Sequence, residues 1–493
     1  MPLLRFLKKH FCIIAILTIG FFLRFYLAWV DPFLHPWDER FHALVARNMM
    51  LHPFKPMLRA FPVTNDYDPN MWCCNHVWLH KQPLFMWQMA LSMKIFGVSE
   101  LAMRLPSVLM GTIAIGLLYR ITLIFTKFNK SIALIAASLL AVSNFHIQMI
   151  SGVHGMDHND VALGFYVLAS IWSYAEYIQK PKLHWILLIG LFAGCAILCK
   201  WLLGLLVFLG WGINIVMNLK KDSLLREVRG FVLSLVVCCI IFVPWQVYIL
   251  HTFPNEAQHE FEFNRRHITE ALEGHSGTIF YYFDNFPNLF GNYISILLLF
   301  GLILSFFTRY LNKKLLISQC IEILFVFCFF SFIVKTKVDT FFFFVVPLCL
   351  SFVAITLFHL FKVLKKYYLI IPIIIIVLYV SLNPFKIKEY LSTKNTERNN
   401  RIYNAEIYRT LKKSVPDSIK VVMNMNSFED IDVMFYNNDI TAYHWTLAPE
   451  DIAILKQKKI PIAVFESHGN YNLPEHILKY PYLFIIHKNL KDF

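Results

Sequence analysis

The chain has 493 residues, of which 57% are hydrophobic and only 16% charged, and its mean hydropathy is +0.53. Soluble domains carry charge on about a quarter of their residues, so a water-soluble globule is excluded: too much apolar surface would face water. The formal charge of +14 does not point to nucleic acid, because the basic residues fall in short clusters between apolar runs.

Backbone polar groups in lipid must be satisfied internally, so each span is a helix of about twenty residues. The apolar runs predict about eleven spans, near 11–30, 104–125, 131–150, 160–178, 184–199, 201–219, 230–250, 287–308, 315–334, 341–361 and 367–383. The fifth and sixth meet around Cys199 and Lys200. The first is not a cleaved signal peptide: it is long, contains Arg24 and runs into Trp-rich sequence with no small-residue cleavage site. The fold class is therefore an all-α polytopic membrane protein, with a small soluble segment at the C-terminal end.

Lysine and arginine collect in cytoplasmic connections. Arg5, Lys8 and Lys9 precede the first span; Lys127 and Lys130 follow the second, and Lys180 and Lys182 the fourth. Lys220, Lys221, Arg226 and Arg229 follow the sixth, Arg309, Lys313 and Lys314 the eighth, and Lys362, Lys365 and Lys366 the tenth. Every second connection is basic, which puts the N-terminus inside and the C-terminal segment outside. The domains expected are 1–383, a membrane domain with long outer loops 31–103 and 251–286, and 384–493, an extracytoplasmic α/β domain.

The first outer loop opens with HPWDERFHALVARNM. Asp38 stands where an N-cap would, and Phe41, Leu44, Val45 and Met49 recur at helical spacing, predicting an amphipathic helix on the membrane surface. On capping alone, Asp38 would be a cap and Glu39 a complement to the helix dipole. The loop closes with a second interfacial helix entered through Pro83. Between the two lies Asp66-Tyr67-Asp68, which matches the acidic signature by which many nucleotide-sugar enzymes hold a metal, yet no nucleotide-binding domain surrounds it.

Basic residues also stand on the outer side against the charge bias: Lys81, Lys200, Lys335 and Lys337, joined by Arg265 and Arg266 of the second long loop. Singly, each is a snorkelling side chain. As a set they describe a site for an anionic group at the membrane surface, with a lipid-linked phosphate as the candidate. A third signal is SGVHGMDHNDVALGF, which puts Asp157, His158 and Asp160 at the lip of the fourth span with His154 just before. Capping by Asp157 or Asn159 competes with a functional reading there. Of the 19 histidines, His76, His80, His259, His267 and His275 fall outside, with no diagnostic metal spacing. Eight of the 10 cysteines lie in spans as small apolar residues, leaving Cys73 and Cys74, whose readings are free thiols (the default), metal ligands with His76, or pairing with a partner.

The acidic pair Asp38-Glu39, the HKQPL element with Lys81 and Pro83, and Arg104-Leu105-Pro106-Ser107 within FGVSELAMRLPSVLMG resemble the lipid-dependent membrane glycosyltransferases of the aminoarabinose transferase and protein O-mannosyltransferase group, which share the GT-C fold. HSGTIFYY, with His275, Tyr281 and Tyr282, and KTKVDTFFFFVVP, from Lys335 to Pro347, continue the likeness, which runs from about Trp37 to Pro347. The resemblance implies a sugar donor linked through phosphate to a polyprenol, a lipid, glycan or protein acceptor, and direct displacement with inversion. Asp38 would orient or deprotonate the acceptor, beside Glu39 of the acidic pair and with Asp157 auxiliary, while Lys81, Lys200, Arg265, Arg266, Lys335 and Lys337 would stabilise the departing phosphate. One position departs from the pattern. The aminoarabinose transferases have a metal-binding glutamate where this chain has His80, so a His80–His275 pair would either keep a divalent ion (zinc or magnesium) with a changed ligand set or have abandoned it.

No nucleotide cofactor is expected, since no glycine-rich phosphate loop is present. Such an enzyme would sit in the cytoplasmic (inner) membrane of a bacterium, with its C-terminal domain periplasmic or extracellular. The alternative is a transporter or flippase of an anionic lipid or sugar-phosphate, which would place its ionisable groups near mid-membrane rather than at the outer rim.

In the C-terminal segment, Lys386 to Lys413 reads as a polar helical stretch. IKVVMNM, DITAYHW, IPIAVFE and YLFIIHK then alternate with helix-compatible sequence such as PEDIAILKQ. That pattern predicts a small, mainly parallel α/β sheet. With no cysteine or catalytic motif, the segment is read as an acceptor-binding or docking module.

Overall fold

The computed structural model describes residues 2–59, 62–63, 76–153, 158–217, 221–291, 294–364, 367–466 and 473–492. The Asp66-Tyr67-Asp68 triplet, Cys73, Cys74, His154, Asp157, Lys220, Lys365 and Lys366 lie outside these residues. Contacts divide the chain into two compact units. The first comprises Met1–Leu27, Lys81–Phe85 and Ser107–Pro384, and the second Ala28–His80, Met86–Pro106 and Phe385–Phe493.

The first unit is a bundle of apolar helices. Among the described residues seven helices are long and apolar enough to cross a membrane, or nine if each of two bent pairs is one span. The difference from eleven has local causes. The sixth expected span is a 3-10 turn, Trp201–Leu205, followed by a helix of only 12 residues, Leu206–Met217, and the eleventh is the 16-residue helix Tyr367–Leu382. The third is broken by 47° between helices Lys130–Ala141 and Asn144–Ser151. Arg24, fully buried in the first helix, answers that break: its guanidinium donates to the carbonyls of Leu140 and Ala141, both at 2.8 Å, and to Gly20 at 3.0 Å. A cation at a helix C-terminus satisfies carbonyls that the interrupted ladder leaves over.

Close backbone approach sets the packing elsewhere. A Cβ on Gly190 would stand 2.2 Å from the carbonyl oxygen of Ser234, and one on Gly194 would stand 2.8 Å from that of Cys238. Helices Leu183–Lys200 and Lys221–Thr252 therefore meet across a seam that only small residues permit, which is how helices gain dispersion contact in lipid.

The second unit holds the predicted α/β sheet. Strands β1 (Val421–Met423), β2 (Thr441–Tyr443), β3 (Ile462–Phe465) and β4 (Leu483–Ile486) fall in the four apolar runs, all pair in parallel, and lie in the order β2-β1-β3-β4. Val421, Met423, Ile462 and Val464 are fully buried, as parallel strands covered on both faces require. Tyr443, Leu447, Leu455 and Ile477 complete that core. The polar stretch before the sheet is helical, over Pro384–Tyr390 and Thr396–Arg409.

Helix Asp38–Met49 differs from the expected surface helix. Glu39 through Ala46 and Met49 are all buried, including Arg40 and His42, because the helix packs on helix Asp430–Tyr436 of the C-terminal segment. Arg40 meets Asp432 there at 3.2 Å. Burial raises Asp432 from an ordinary 3.8 to about 7, against the pull of Arg40, and raises Glu429 beside it. The folded chain thus keeps a proton on Asp432 that the unfolded chain loses near pH 4, so stability should fall as pH rises from about 4 to about 7. Thermal unfolding of the full chain across that window should show this slope, and Asp432→Asn should flatten it. An equally steep slope in the variant would assign the effect to other groups.

Candidate functional site

The acidic pair begins where the chain leaves the first helix. Trp37 takes φ 62° and ψ −126°, a strained conformation for a bulky residue that costs roughly 1–3 kcal/mol. Trp37, not Asp38, occupies the cap position, and Asp38 is the first helical residue. The capping expectation for Asp38 is therefore corrected. Its carboxylate is 24% exposed and stands 4.0 Å from the buried His42 ring, one turn along. His42 packs edge-on to Trp78 at 5.8 Å, and Trp78 packs against the His80 ring at the same separation.

Glu39 points the other way. It is fully buried, and its Oε1 accepts from Arg104 Nε at 3.1 Å, from Arg104 Nη2 and from the His35 amide at 3.1 Å. Arg104 also donates from Nη1 to the carbonyls of Ala28 (3.0 Å) and Asp31 (2.8 Å), and from Nη2 to that of Phe33 (2.6 Å). All five guanidinium hydrogens are thereby used, the fork geometry that makes arginine irreplaceable by lysine. The Arg-Leu-Pro-Ser stretch marked Arg104 in the sequence without revealing this task.

In the first unit, the late-lysine segment and the second long loop are one structure. The amides of Lys335, Thr336 and Lys337 donate to the carbonyls of Ile268 (3.1 Å), His267 (3.2 Å) and His275 (3.1 Å). The Thr336 hydroxyl donates to the Glu270 carbonyl at 2.9 Å and meets His267 Nδ1 at 3.0 Å. Tyr281 donates to Asp339 at 2.6 Å, and Tyr282 to the Val338 carbonyl at 3.2 Å. The two motifs flanking Tyr281 and Lys337, distant in sequence, thus lie side by side.

The cations divide by environment. Lys337 is buried and directs its ammonium onto the carbonyls of Phe330, Ser331 (2.9 Å) and Val334 (2.6 Å), at the end of the preceding helical segment. Burial, with the nearby Lys335 charge second, lowers its pKa. Lys200, in the last turn of its helix, clasps both oxygens of the buried Asp160 at 2.7 and 2.8 Å, over the Phe341 ring. His158 bonds Ser107 through Nδ1 at 2.8 Å. Arg265 and Arg266 are exposed and pair with Glu262 and Glu270 on their own helix surface, bonds that hold the arginines charged and the carboxylates ionised. Lys335 and His275 are exposed, and Lys81 is half-buried.

The helix arrangement is a GT-C-like fold. ArnT from Cupriavidus metallidurans bound to undecaprenyl phosphate is similar over 92% of this chain and 90% of its own, with TM-score 0.61 and 18% identity. Its apo form gives 0.61 over 87% and 85%, at 17% identity. The archaeal oligosaccharyltransferase AglB from Archaeoglobus fulgidus, in complex with an inhibitory peptide and a dolichol-phosphate, gives 0.59 over 88% of this chain and 64% of its own, at 12% identity. A family model described as dolichyl-phosphate-mannose-protein mannosyltransferase matches residues 80–248, less than half of the chain. No curated protein matches the sequence. The resemblance read from Asp38-Glu39 onward thus meets a family match and a shared fold.

A metal fits less well. Among the described residues no three His, Cys, Asp or Glu side chains gather around one point, whereas zinc takes three or four protein ligands. His80 belongs to the second unit and His275 to the first.

The Arg104 cage makes a sharp prediction. Arg104→Ala removes the countercharge of a buried carboxylate and the donor of three carbonyls and should destabilise the protein by about 3–5 kcal/mol, measured by thermal unfolding in detergent. Adding Glu39→Gln should restore part of the loss. Additive losses in the double variant would deny the coupling.

Proposed function

We propose that the protein is a glycosyltransferase that moves a hexosyl or pentosyl group from a polyprenyl-phosphate donor to an acceptor at the outer face of the cytoplasmic membrane. The observation that carries this reading is the fold shared, over nine-tenths of both chains, with an ArnT crystallised on undecaprenyl phosphate. The mannosyltransferase family match across the Lys81 element supports it. Lipid, glycan and protein hydroxyls all remain acceptor classes of the proposal, and membrane lipids its surroundings.

In the proposed mechanism Asp38, the partly exposed member of the acidic pair, orients and deprotonates the acceptor hydroxyl as it attacks the anomeric carbon. The C–O bond to phosphate breaks with inversion, and the phosphate leaves as an anion. Lys81, the exposed Lys335, Arg265 and Arg266 supply charge to it. Lys200 is held by Asp160 and Lys337 by carbonyls, so we assign these two the shape of the site rather than the first contact with phosphate. Glu39 holds Arg104, and Asp157 is kept as the auxiliary acid. No step is routed through a metal, and none calls for a nucleotide. The outward orientation rests on the alternation of basic connections, and the C-terminal domain would then face the periplasm or exterior.

Purified full-length protein in nanodiscs, given a polyprenyl-phosphate sugar and candidate acceptors, should release polyprenyl phosphate and glycosylate one of them. Because Asp38 is not the helix cap, Asp38→Asn should keep the fold and lower turnover by at least about a hundredfold. Lys81→Ala should raise donor KM or lower kcat about tenfold, roughly 1.4 kcal/mol. Full turnover by the Asp38→Asn variant would remove Asp38 from the mechanism. Donor translocation across proteoliposomes without transfer would replace the enzyme by the flippase alternative.

A further inference from the structure

The C-terminal segment reads in sequence as an acceptor-binding or docking module. Several of its polar contacts instead run to the segment that carries the acidic pair. Asp31, buried just beyond the first helix, is the centre: its Oδ1 accepts from Arg398 Nε at 2.7 Å and its Oδ2 from the Tyr390 hydroxyl at 2.6 Å. Arg398 Nη2 donates to the Val30 carbonyl at 2.9 Å, and Arg409 donates to that of Pro32. Arg104 holds the carbonyls of Ala28, Asp31 and Phe33 in the same stretch. Five of the six carbonyls from residue 28 to 33 are thus held by an arginine, those of Ala28, Asp31 and Phe33 by Arg104 and those of Val30 and Pro32 by Arg398 and Arg409 of helix Thr396–Arg409. Further along, helix Asp430–Tyr436 takes Arg40 on Asp432 at 3.2 Å and Arg47 on the Met434 carbonyl. Asp430 of that helix takes Arg59 at 2.6 Å and His444 at 3.0 Å.

We propose that the C-terminal α/β segment is a clamp that fixes the first-loop carboxylates, with Arg398 and Tyr390 as positioning residues acting through Asp31; the proposal rests on the glycosyltransferase reading above. The physical argument is that residues 31–37 are irregular and end at the strained Trp37, so no regular backbone ladder on the N-terminal side fixes the entry into helix Asp38–Met49, whose first residue is Asp38. A general base must stay within a fraction of an ångström of its reacting hydroxyl, and an irregular segment attains that only when its carbonyls and side chains are tied to rigid elements. Two helices and a parallel sheet provide such elements. The buried ion pairs serve register rather than bulk stability, since an apolar contact of the same size would do as well for the latter.

The test uses the full-length chain in nanodiscs carrying Arg398→Ala, Arg398→Lys or Tyr390→Phe. Transfer from a polyprenyl-phosphate sugar should lose about tenfold or more in kcat for Arg398→Ala, with donor KM changed by less than about twofold, and Arg398→Lys should recover part of it. Hydrogen exchange should quicken across 28–49 in the same variant. Tyr390→Phe removes a single hydroxyl and gives the same pattern more weakly, which keeps the test valid if Arg398→Ala fails to fold. A raised acceptor KM at unchanged kcat would make the segment an acceptor-binding surface and overturn the clamp. So would unchanged exchange across 28–49. If the wild-type protein transfers no sugar, the catalytic reading fails, while the exchange measurement still decides the clamp.

Discussion

The stretch that leads into the acidic pair is organised around one guanidinium. Arg104 is buried with all five of its hydrogens bonded, three to backbone carbonyls and two to Glu39. An arginine in that position cannot shed its charge, and taking it out of water is costly unless a carboxylate and well-aimed acceptors replace the lost hydration. The chain around residues 28–39 is shaped by that demand. Its carbonyls turn inward, its regular hydrogen bonding lapses, and the strained Trp37 closes the turn. The acidic pair splits as a consequence: one carboxylate is committed to neutralising Arg104, and its neighbour is left at the edge with one side toward solvent.

Elements governed by periodicity and composition were legible before any coordinates. The four short strands and the intervening PEDIAILKQ helix, Pro449–Gln457, fall where alternating apolar runs put them, since burial on both faces needs continuous Val, Ile and Ala. The apolar helices were equally plain. What periodicity misses is interruption. The break at Ala141 and the burial of helix Asp38–Met49 both go with partners far away in the chain, Arg24 and the helix at Asp430. A hydropathy window sees neither, because each is a polar contact that overrides a local preference.

The basic residues illustrate the limit for sites. Lys81, Lys200, Lys335 and Lys337 stood together in the sequence argument because they broke the charge bias, a rule about which side of a membrane, not about which neighbour. A helix end is a ring of unsatisfied carbonyls, and in an apolar protein it is as strong a lure for an ammonium as any phosphate. Lys337 answers that lure, and Lys200 answers a buried aspartate. Arg265 and Arg266 have the usual surface partners one turn away, worth little to stability and open to exchange. Sorting such cations needs the positions of the carbonyls, which depend on where helices stop.

A donor that carries its own leaving phosphate on a lipid asks little covalent chemistry of the protein. What it asks is a carboxylate held at one place while a charge develops a few ångströms away. Helices crossing a bilayer provide rigidity along their length but lose it at the ends, where the backbone must unravel to turn. Residues 28–39 are such an end, and there the chain brings in arginines from helix Glu100–Phe125 and from the C-terminal helices to replace the missing ladder. Side chains tie down a backbone whose own hydrogen bonds have run out. On the proposed mechanism the polar C-terminal sequence serves that requirement, since its arginine and tyrosine tie down the irregular stretch that leads into the helix of Asp38.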